Sequence, residues 1–224
     1  MIRILCIETS LEYCSVSLIQ DGRVIDSENI NIKKSHSEFI LVLIKTLLKR
    51  VKISLNQLSA IAVNKGPGSY TGLRIGVSTA KGLCFSLDLP LISVNSLDLM
   101  INDVIKKGLV DSSSLLCPMI DARRMEVYTK IVKFDLTVLK DTHAKILSKD
   151  SFNSILEKNR VNFFGNGSNK FQNLIKSKNA FFIEKIIPKS INFDQIVHGK
   201  YLEKKFEDLI NFEPYYLKEY YFKN

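Results

Sequence analysis

Histidine is scarce in this chain, and its three copies do not form a metal-binding pattern. His36, His143 and His198 stand alone, and none has a second histidine three or four residues away. The H-E-x-x-H signature and any cysteine–histidine cluster are absent from the sequence, which excludes the ordinary zinc sites of hydrolases. A G-x-S-x-G nucleophile elbow is absent as well. We therefore expect neither a bound metal nor a catalytic histidine.

Cysteine is also rare, and its spacing does not indicate a redox or metal motif. The four cysteines are Cys6, Cys14, Cys84 and Cys117, without a C-x-x-C pair. Cys6 and Cys117 fall in apolar, strand-like runs, where free thiols usually act as small hydrophobic residues. This usage favours a reducing, cytoplasmic location.

The chain lacks a long hydrophobic run. Near its start, the apolar run Ile2–Ile7 is interrupted by Arg3 and stopped by Glu8, so we predict no signal peptide. The longest apolar run, Phe39–Leu48, is broken by Lys45 and is too short to span a membrane. We expect no membrane association.

Apolar residues and positive charge are abundant. The 224 residues are 46% hydrophobic, which predicts a folded protein rather than a disordered one. Net charge is +9: residues 1–110 hold 13 basic and 9 acidic residues, and residues 111–224 hold 19 and 14. The excess is therefore spread along the chain. It is compatible with a nucleic-acid partner but does not by itself establish one.

Both halves of the chain show the same order of elements. Residues 1–108 read as three strands, helix, strand, glycine turn, helix, strand and helix, and residues 109–224 repeat that order. A polar break at Gly108 and residues 111–114 separates the halves. Three leading strands followed by alternating helices and strands predict a mixed sheet with flanking helices. The chain is therefore predicted to be a two-lobed actin-like (ASKHA, ribonuclease-H-like) α/β fold, with domains at 1–108 and 109–224.

The first predicted helix is apolar on nearly every side. Ser35-His36-Ser37-Glu38 has the spacing of a capping box and begins a helix of about Ser37–Lys52. A single core-facing stripe would consist of Ile40, Leu43, Ile44, Leu47 and Val51. Phe39, Leu41 and Val42 then remain on other faces. Either the helix lies inside a large core or it presents a partner surface, and the pattern leaves both open.

A glycine-rich turn, Gly66-Pro67-Gly68-Ser69-Tyr70-Thr71-Gly72-Leu73-Arg74, lies between a predicted strand and a predicted helix. Such a turn can direct free backbone N–H groups at a phosphate. It fails the Walker template, because no lysine follows Gly72, and the dinucleotide template, because threonine occupies position 71. Gly72, Gly76 and Ala80 instead form a small-residue stripe that lets another backbone approach. We favour this packing interpretation.

Acidic residues end the first strand of each half. Glu8 and Asp121 take these positions, and Glu12 follows in the first turn. In an actin-like fold both strand ends would face the interlobe cleft, where the acids could hold Mg²⁺ beside nucleotide phosphates. Alternatively, each acid accepts backbone N–H bonds in its own turn. The segment Glu8–Glu12 contains no glycine, unlike a phosphate-gripping hairpin, so we favour the structural alternative.

Several segments together resemble the TsaB (YeaZ) family. They are Ile7–Ser10, Gly66–Gly76, Ile120–Arg123, Glu126–Tyr128 and Glu213–Leu217. The resemblance covers the whole chain in order and at the expected length. The glycine stretch is shared with the catalytic paralogue TsaD, whereas the Ile-Asp-Ala-Arg segment and the short length are typical of TsaB.

The resemblance implies a non-catalytic activator subunit of the bacterial complex that forms threonylcarbamoyladenosine in tRNA. The modified adenosine lies 3′ of the anticodon in tRNAs reading codons that begin with A. The implied partners are a TsaD-type catalytic subunit, a TsaE-type ATPase, and tRNA by way of the complex. The helix around Phe39–Val51 and the helix that carries Gly72 and Ala80 are the implied contacts with the TsaD-type subunit. A homodimer through these two helices is implied for the isolated chain. The resemblance implies no cofactor, since residues 93–100 lack the histidine pair with which TsaD-type proteins bind metal.

Two sets of site residues follow from the resemblance. The partner-interface set comprises Phe39, Val42, Leu43, Thr46, Gly72, Leu73, Gly76, Val77 and Ala80. The remnant-cleft set comprises Glu8, Thr9, Ser10, Glu12, Asp121 and Arg123. Glu12 aligns with a catalytic aspartate of TsaD-type proteins. Lys218 stands where relatives usually carry arginine, which would lose any bidentate contact.

Two other function classes stay open. An independent actin-like-fold ATPase or metalloprotease-like enzyme would bind nucleotide tightly or hold stoichiometric metal. A direct tRNA-binding module would bind RNA with steep salt dependence.

Overall fold

The structure is a computed structural model that describes residues 1–31 and 36–218. Ser35 of the predicted capping box and residues 219–221 of the predicted aromatic tail lie outside the described residues. The chain divides into two compact units, Met1–Ser96 with Pro188–Asn224, and Leu97–Ile187.

The observed elements follow the repeated order predicted from the sequence. The first half contains β1 (Arg3–Glu8), β2 (Tyr13–Gln20), β3 (Arg23–Asn31), α1 (His36–Arg50), β4 (Ala60–Gly66), α2 (Tyr70–Leu87), β5 (Leu91–Asn95) and α3 (Ser96–Lys106). The second half contains β6 (Leu115–Asp121), β7 (Glu126–Val132), β8 (Val138–Ile146), α4 (Asn153–Leu156), β9 (Val161–Phe164), α5 (Ser168–Gln172), β10 (Ala180–Ile183) and α6 (Asp194–Leu202). Short 3₁₀ turns cover Leu55–Gln57 and Ser190–Phe193.

Each unit is built on a five-stranded mixed sheet with the same strand order. The orders are β3-β2-β1-β4-β5 and β8-β7-β6-β9-β10. The first three strands of each half pair antiparallel, and the fourth pairs parallel with the first. Positive φ at both Asp21 and Gly22 suits the tight hairpin between β2 and β3. Two mixed sheets with flanking helices confirm the predicted two-lobed actin-like α/β fold.

In the first unit, α1 and α2 pack on the sheet through one buried stripe each. Leu43 and Leu47 of α1 lie with Val16 of β2 and Val63 of β4 in one hydrophobic cluster. Burial of each such side chain contributes about 1.5–3 kcal/mol relative to exposure. Four of the five residues of the predicted core stripe are therefore confirmed as buried, whereas Val51 lies beyond the end of α1 and is half-buried. Because Leu41 and Val42 on its opposite side stay exposed, α1 does not lie inside a large core.

The second unit is held by an aromatic cluster more than by long helices. Phe152, Phe163 and Phe171 form edge-on ring pairs with centroids 5.0–5.4 Å apart. The repeated order predicts a helix at each of these two places, and the observed helices α4 and α5 have only four and five residues. Segments this short gain little helical stability of their own, so packing of the phenylalanines decides where each helix ends.

The unit boundaries differ from the predicted division at residue 108. All of α3 except Ser96 belongs to the second unit, where Lys130 Nζ donates to Asp98 Oδ1 at 2.7 Å. Helix α6 belongs to the first unit, where Lys200 Nζ donates to the Ser93 carbonyl oxygen at 2.7 Å. The last helix of each half therefore packs in the other unit. The polar break near residue 108 marks a chain connection and not a packing boundary.

Candidate functional site

The backbone N–H groups of the glycine-rich turn are used inside the first unit. Ser69 is the N-cap of α2, and its Oγ accepts the Gly72 N–H at 3.4 Å. The Ser69 N–H donates to the Ser10 carbonyl oxygen at 2.7 Å. The Gly66 N–H donates to Asn64 Oδ1 at 2.8 Å. These bonds favour the packing interpretation of the turn over a phosphate cradle.

Gly72 and Gly76 face the turn that follows β1. A Cβ at Gly72 would lie 2.1 Å from the Thr9 carbonyl oxygen, and a Cβ at Gly76 would lie 2.2 Å from Thr9 Oγ1. Thr9 Oγ1 itself donates to the Gly72 carbonyl oxygen at 2.8 Å. Only glycine permits this approach. Thr9 of the same chain therefore covers Gly72 and Gly76, and contact of this stripe with a partner stays a prediction.

Four further residues of the predicted interface lie in the core of the first unit. They are Leu43, Leu73, Val77 and Ala80, all buried. A partner could reach them only if α1 and α2 left the sheet. Their part in a partner interface stays a prediction, because the family resemblance identified the two helices but not which side of each helix faces the sheet.

The outward sides of α1 and α2 expose a different set of residues, which we call the outer helix face. It consists of Leu41, Val42 and Thr46 on α1 and Ser78, Gly82 and Phe85 on α2, all exposed. The exposed fractions are 60% for Leu41, 54% for Val42 and 85% for Phe85. The two helices contact each other, and Phe39 of α1 is only half-buried. Val42 and Thr46 were predicted, and Leu41 was one of the residues left outside the core stripe.

Phe85 was missed by the sequence analysis. It lies seven residues after Ser78 and three after Gly82, so helical spacing places the three on one side of α2. A Cβ at Gly82 would meet no atom within 4 Å, so that position opens to solvent. Extending the helical period from Gly82 would have found Phe85.

Glu8 is a buried structural acid in the described first unit. Its side chain is 1% exposed, and its Oε1 accepts the Ser10 N–H at 2.6 Å. Its Oε2 accepts a hydrogen bond from Asn64 Nδ2, which ties the end of β1 to β4. Burial raises the pKa of this carboxyl, and the hydrogen bonds from Ser10 and Asn64 offset part of that rise. The predicted turn-capping role fits this geometry.

Asp121 and Arg123 lie on the exposed turn between β6 and β7 in the second unit. The Arg123 N–H donates to Asp121 Oδ1 at 2.6 Å, so Asp121 also caps its own turn. Lys170 Nζ donates to the same oxygen at 2.6 Å. Glu12 is exposed in the first unit, whereas Thr9 and Ser10 are buried there. The remnant cleft between the units stays a prediction.

Residues 207–217, which we call the tail strap, run across α2 and the ends of β4 and β5. Lys81 Nζ donates to the carbonyl oxygens of Ile210 and Phe212, each at 3.0 Å. Arg74 stacks on Tyr70 at 4.1 Å and donates from Nε to the Tyr216 hydroxyl at 3.2 Å. The strap and Lys65 line an open cavity of 510 Å³. The aromatic tail of the sequence is thus packed against the helix that carries half of the outer helix face.

The thiols behave as core residues. Burial raises the pKa of Cys14, Cys84 and Cys117 to about 12, so they stay protonated at neutral pH. This agrees with their interpretation as small hydrophobic side chains.

The described residues hold neither a cluster of metal ligands nor a helix that could cross a membrane. Within residues 1–31 and 36–218, no three histidine, cysteine, aspartate or glutamate side chains lie together as metal ligands would. Over the same ranges, no helix combines the length and apolar character needed to cross a bilayer.

Known proteins resemble this chain along most of its length. The family model described as TsaD, tRNA N6-adenosine threonylcarbamoyltransferase, matches residues 24–218. The TsaB protein of Bacillus subtilis is 34% identical over 177 residues, which is 77% of this chain and 75% of that protein. TsaB of Buchnera aphidicola subsp. Baizongia pistaciae is 30% identical over 96% of this chain and 98% of that protein.

Other comparisons cover less sequence or show the fold alone. The match to TsaB of Escherichia coli is 37% identical and spans 56% of this chain and 53% of that protein. The structure of YeaZ from Pseudomonas aeruginosa superposes with a TM-score of 0.82 at 22% identity, over 97% of this chain and all of that one. At this identity the superposition supports the fold.

Proposed function

The chain belongs to the TsaB (YeaZ) family, and we propose that it is the non-catalytic subunit that binds and activates a TsaD-type threonylcarbamoyltransferase. Its curated relatives are named tRNA threonylcarbamoyladenosine biosynthesis proteins, which supports a role in that pathway. The proposed assembly modifies the adenosine 3′ of the anticodon in tRNAs reading codons that begin with A. A TsaE-type ATPase is its proposed third component.

The observation that carries this proposal is the outer helix face. Leu41, Val42 and Phe85 expose large apolar side chains on two helices that contact each other. Exposed apolar patches on folded proteins mark interaction sites. Small residues at Ser78 and Gly82 leave room on α2 for another helix to approach.

A TsaD-type protein is a suitable occupant of this face because it shares the fold. The TsaD family model matches residues 24–218, which include both helices. Two related chains can therefore bring equivalent helix pairs together about an approximate two-fold axis, as in isologous dimers. A second copy of this chain can take the same place when the TsaD-type protein is missing, which gives a concentration-dependent homodimer.

The sequence and the buried acid support the non-catalytic assignment. Residues 93–100 contain no histidine, so the metal-binding pair of TsaD-type proteins has no counterpart there. Glu8 holds two groups of its own unit by hydrogen bonds and is not available to a nucleotide-bound cation. In the proposed complex the transfer chemistry belongs to the TsaD-type subunit.

Charge substitution on the outer helix face tests the interface. Val42→Glu and Phe85→Glu should each weaken capture of the co-expressed TsaD-type subunit by at least about tenfold, because an unpaired carboxylate would be buried on binding. The matched control is Ile146→Glu on β8, where the side chain is 74% exposed in the second unit. Val77 is unsuitable for this purpose, since it is 4% exposed and a charge there would disrupt the core.

Affinity pull-down and reconstituted tRNA modification give separate readouts. Normal capture by both variants would show that the interface lies elsewhere. Full threonylcarbamoylation by the TsaD-type and TsaE-type proteins without this chain would reject the activator role.

A further inference from the structure

The turn between β6 and β7 places two consecutive arginines in a strained backbone conformation. Arg123 has φ +67° and Arg124 has φ +45°. This left-handed region costs free energy for a residue with a Cβ, and glycine would avoid that cost. The sequence nevertheless carries arginine at both positions. Backbone strain that is kept at an exposed turn is a reason to look for a function of the side chains at that turn.

Lys170 holds this turn in place through three hydrogen bonds. Its ammonium group donates to Asp121 Oδ1 at 2.6 Å, to the Glu126 carbonyl oxygen at 3.3 Å, and to the Arg124 carbonyl oxygen. The Glu126 N–H donates to the Arg123 carbonyl oxygen at 3.2 Å and closes the turn. The two arginines therefore project from a backbone held at several points.

The charge of both guanidinium groups is directed outward. Arg123 and Arg124 are exposed, and within the described ranges neither forms an ion pair with an acidic side chain. Asp121 and Glu126 are the acids two residues away on either side of the pair, and Asp121 is paired with Lys170. The second unit, residues 97–187, holds 15 basic and 10 acidic residues, which gives it a net charge of +5. The unit therefore has no excess of acidic residues that would neutralise the two arginines.

We propose that this pair, the arginine tip, binds the phosphodiester backbone of tRNA. A guanidinium group presents a planar fork of donors that matches two phosphate oxygens, and it stays charged at every physiological pH. Two guanidinium groups on adjacent residues of a turn that is held in place can each bind one of two neighbouring phosphates along an RNA strand. Contacts of this kind position RNA without reading its sequence.

The choice of tRNA rests on the pathway in the proposed function, whereas the site is independent of the outer helix face. The arginine tip belongs to the second unit and the outer helix face to the first. An acidic surface on the protein partner is the competing occupant of the tip, and the experiment separates the two.

The test compares tRNA binding by the full-length wild type with that by the double variant Arg123→Gly/Arg124→Gly. Glycine relieves the positive φ while removing both guanidinium groups, so the unfolding midpoint should be unchanged or higher. Affinity for an unmodified tRNA transcript should fall at least tenfold at low salt. The slope of log affinity against log salt should become shallower by about 1.5, since two phosphate contacts are lost.

Arg23→Ala is the matched control, because Arg23 is an exposed arginine at the start of β3 in the other unit. This control should bind tRNA within about twofold of wild type. Unchanged affinity and salt slope in the glycine double variant would overturn the inference, as would an equal loss in Arg23→Ala. Loss of capture of the TsaD-type subunit with normal tRNA binding would assign the tip to a protein partner and also overturn it. Val42→Glu, which tests the proposed function, should leave tRNA binding by the isolated chain intact.

Discussion

Helix α2 can lie against the turn after β1 because Gly72 has no Cβ. At Gly72 the nearest obstacle to a Cβ is the Thr9 carbonyl oxygen, a backbone atom that cannot rotate away. At Gly82, ten residues along the same helix, the corresponding space is empty. The same substitution should therefore have opposite effects at these two glycines.

Gly72→Ala should lower the free energy of unfolding by at least about 2 kcal/mol, because overpacking forces the turn and the helix apart. Gly82→Ala should raise it by up to about 1 kcal/mol, because alanine is the better helix former at an exposed position. Urea unfolding followed by circular dichroism measures both. Equal effects of the two substitutions would show that the close approach to Thr9 does not matter for stability.

Sequence reasoning identified the important residue types at this scale but not the direction in which they face. Gly72 and Gly76 were correctly singled out for close packing, yet the neighbour they require is Thr9 of the same chain. A spacing of four residues defines a helix face without saying what covers it. Glu8 was likewise placed at a strand end, and its burial depends on Asn64, which lies on a strand 56 residues away.

At the scale of elements, the tail strap has a clear anchor. Lys81 donates hydrogen bonds to the carbonyl oxygens of Ile210 and Phe212, and the Phe212 side chain is buried in the hydrophobic cluster that includes residues of α1 and α2. The strap therefore joins α2 to the end of the chain by both charge and apolar packing.

Lys81→Met should loosen the strap while keeping the length of the side chain. Two hydrogen bonds from a charged donor are lost at a half-buried site, so we expect a loss of about 1 kcal/mol in the free energy of unfolding. Amide hydrogen exchange in residues 207–217 should accelerate, whereas exchange in the strands of the second unit should not. Lys49→Met, at an exposed lysine on α1, is the control. Unaltered exchange in the strap would contradict the anchoring role.

Strands were easier to predict than helices in this chain. Strands β6 and β9 coincide with apolar runs in the sequence, because the buried strands of a central sheet are apolar nearly throughout. Helices α4 and α5 are shorter than their patterns, since the aromatic cluster determines the chain path there. The path of the tail strap could not be predicted, because its residues have no clear period and their partners lie on α2.

At the scale of the whole molecule, the second unit is continuous in sequence and the first is not. Leu97–Ile187 contains its complete sheet and the helix α3, whose Asp98 pairs with the nearly buried Lys130. The first unit requires Pro188–Asn224, from which Ser190 accepts a hydrogen bond from Ser17 Oγ at 2.7 Å.

Fragments cut at these boundaries should differ in behaviour. Residues 97–187 should give a soluble fragment with a cooperative thermal transition. Residues 109–224, the lobe predicted from the sequence alone, should aggregate, because this fragment lacks α3 and carries a C-terminal segment without its sheet. Expression followed by size-exclusion chromatography and thermal unfolding compares the two. A cooperative 109–224 fragment would show that the packing boundary near residue 97 has been misplaced.

The discontinuous first unit also sets an order of events during protein synthesis. Its sheet is translated before the second unit, whereas its residues 188–224 follow the second unit along the chain. The second unit emerges completely before them and can fold while the nascent chain is still attached. The unit whose sheet is translated earlier is therefore completed after the other one, and a message truncated after residue 187 would yield a complete second unit and an incomplete first unit.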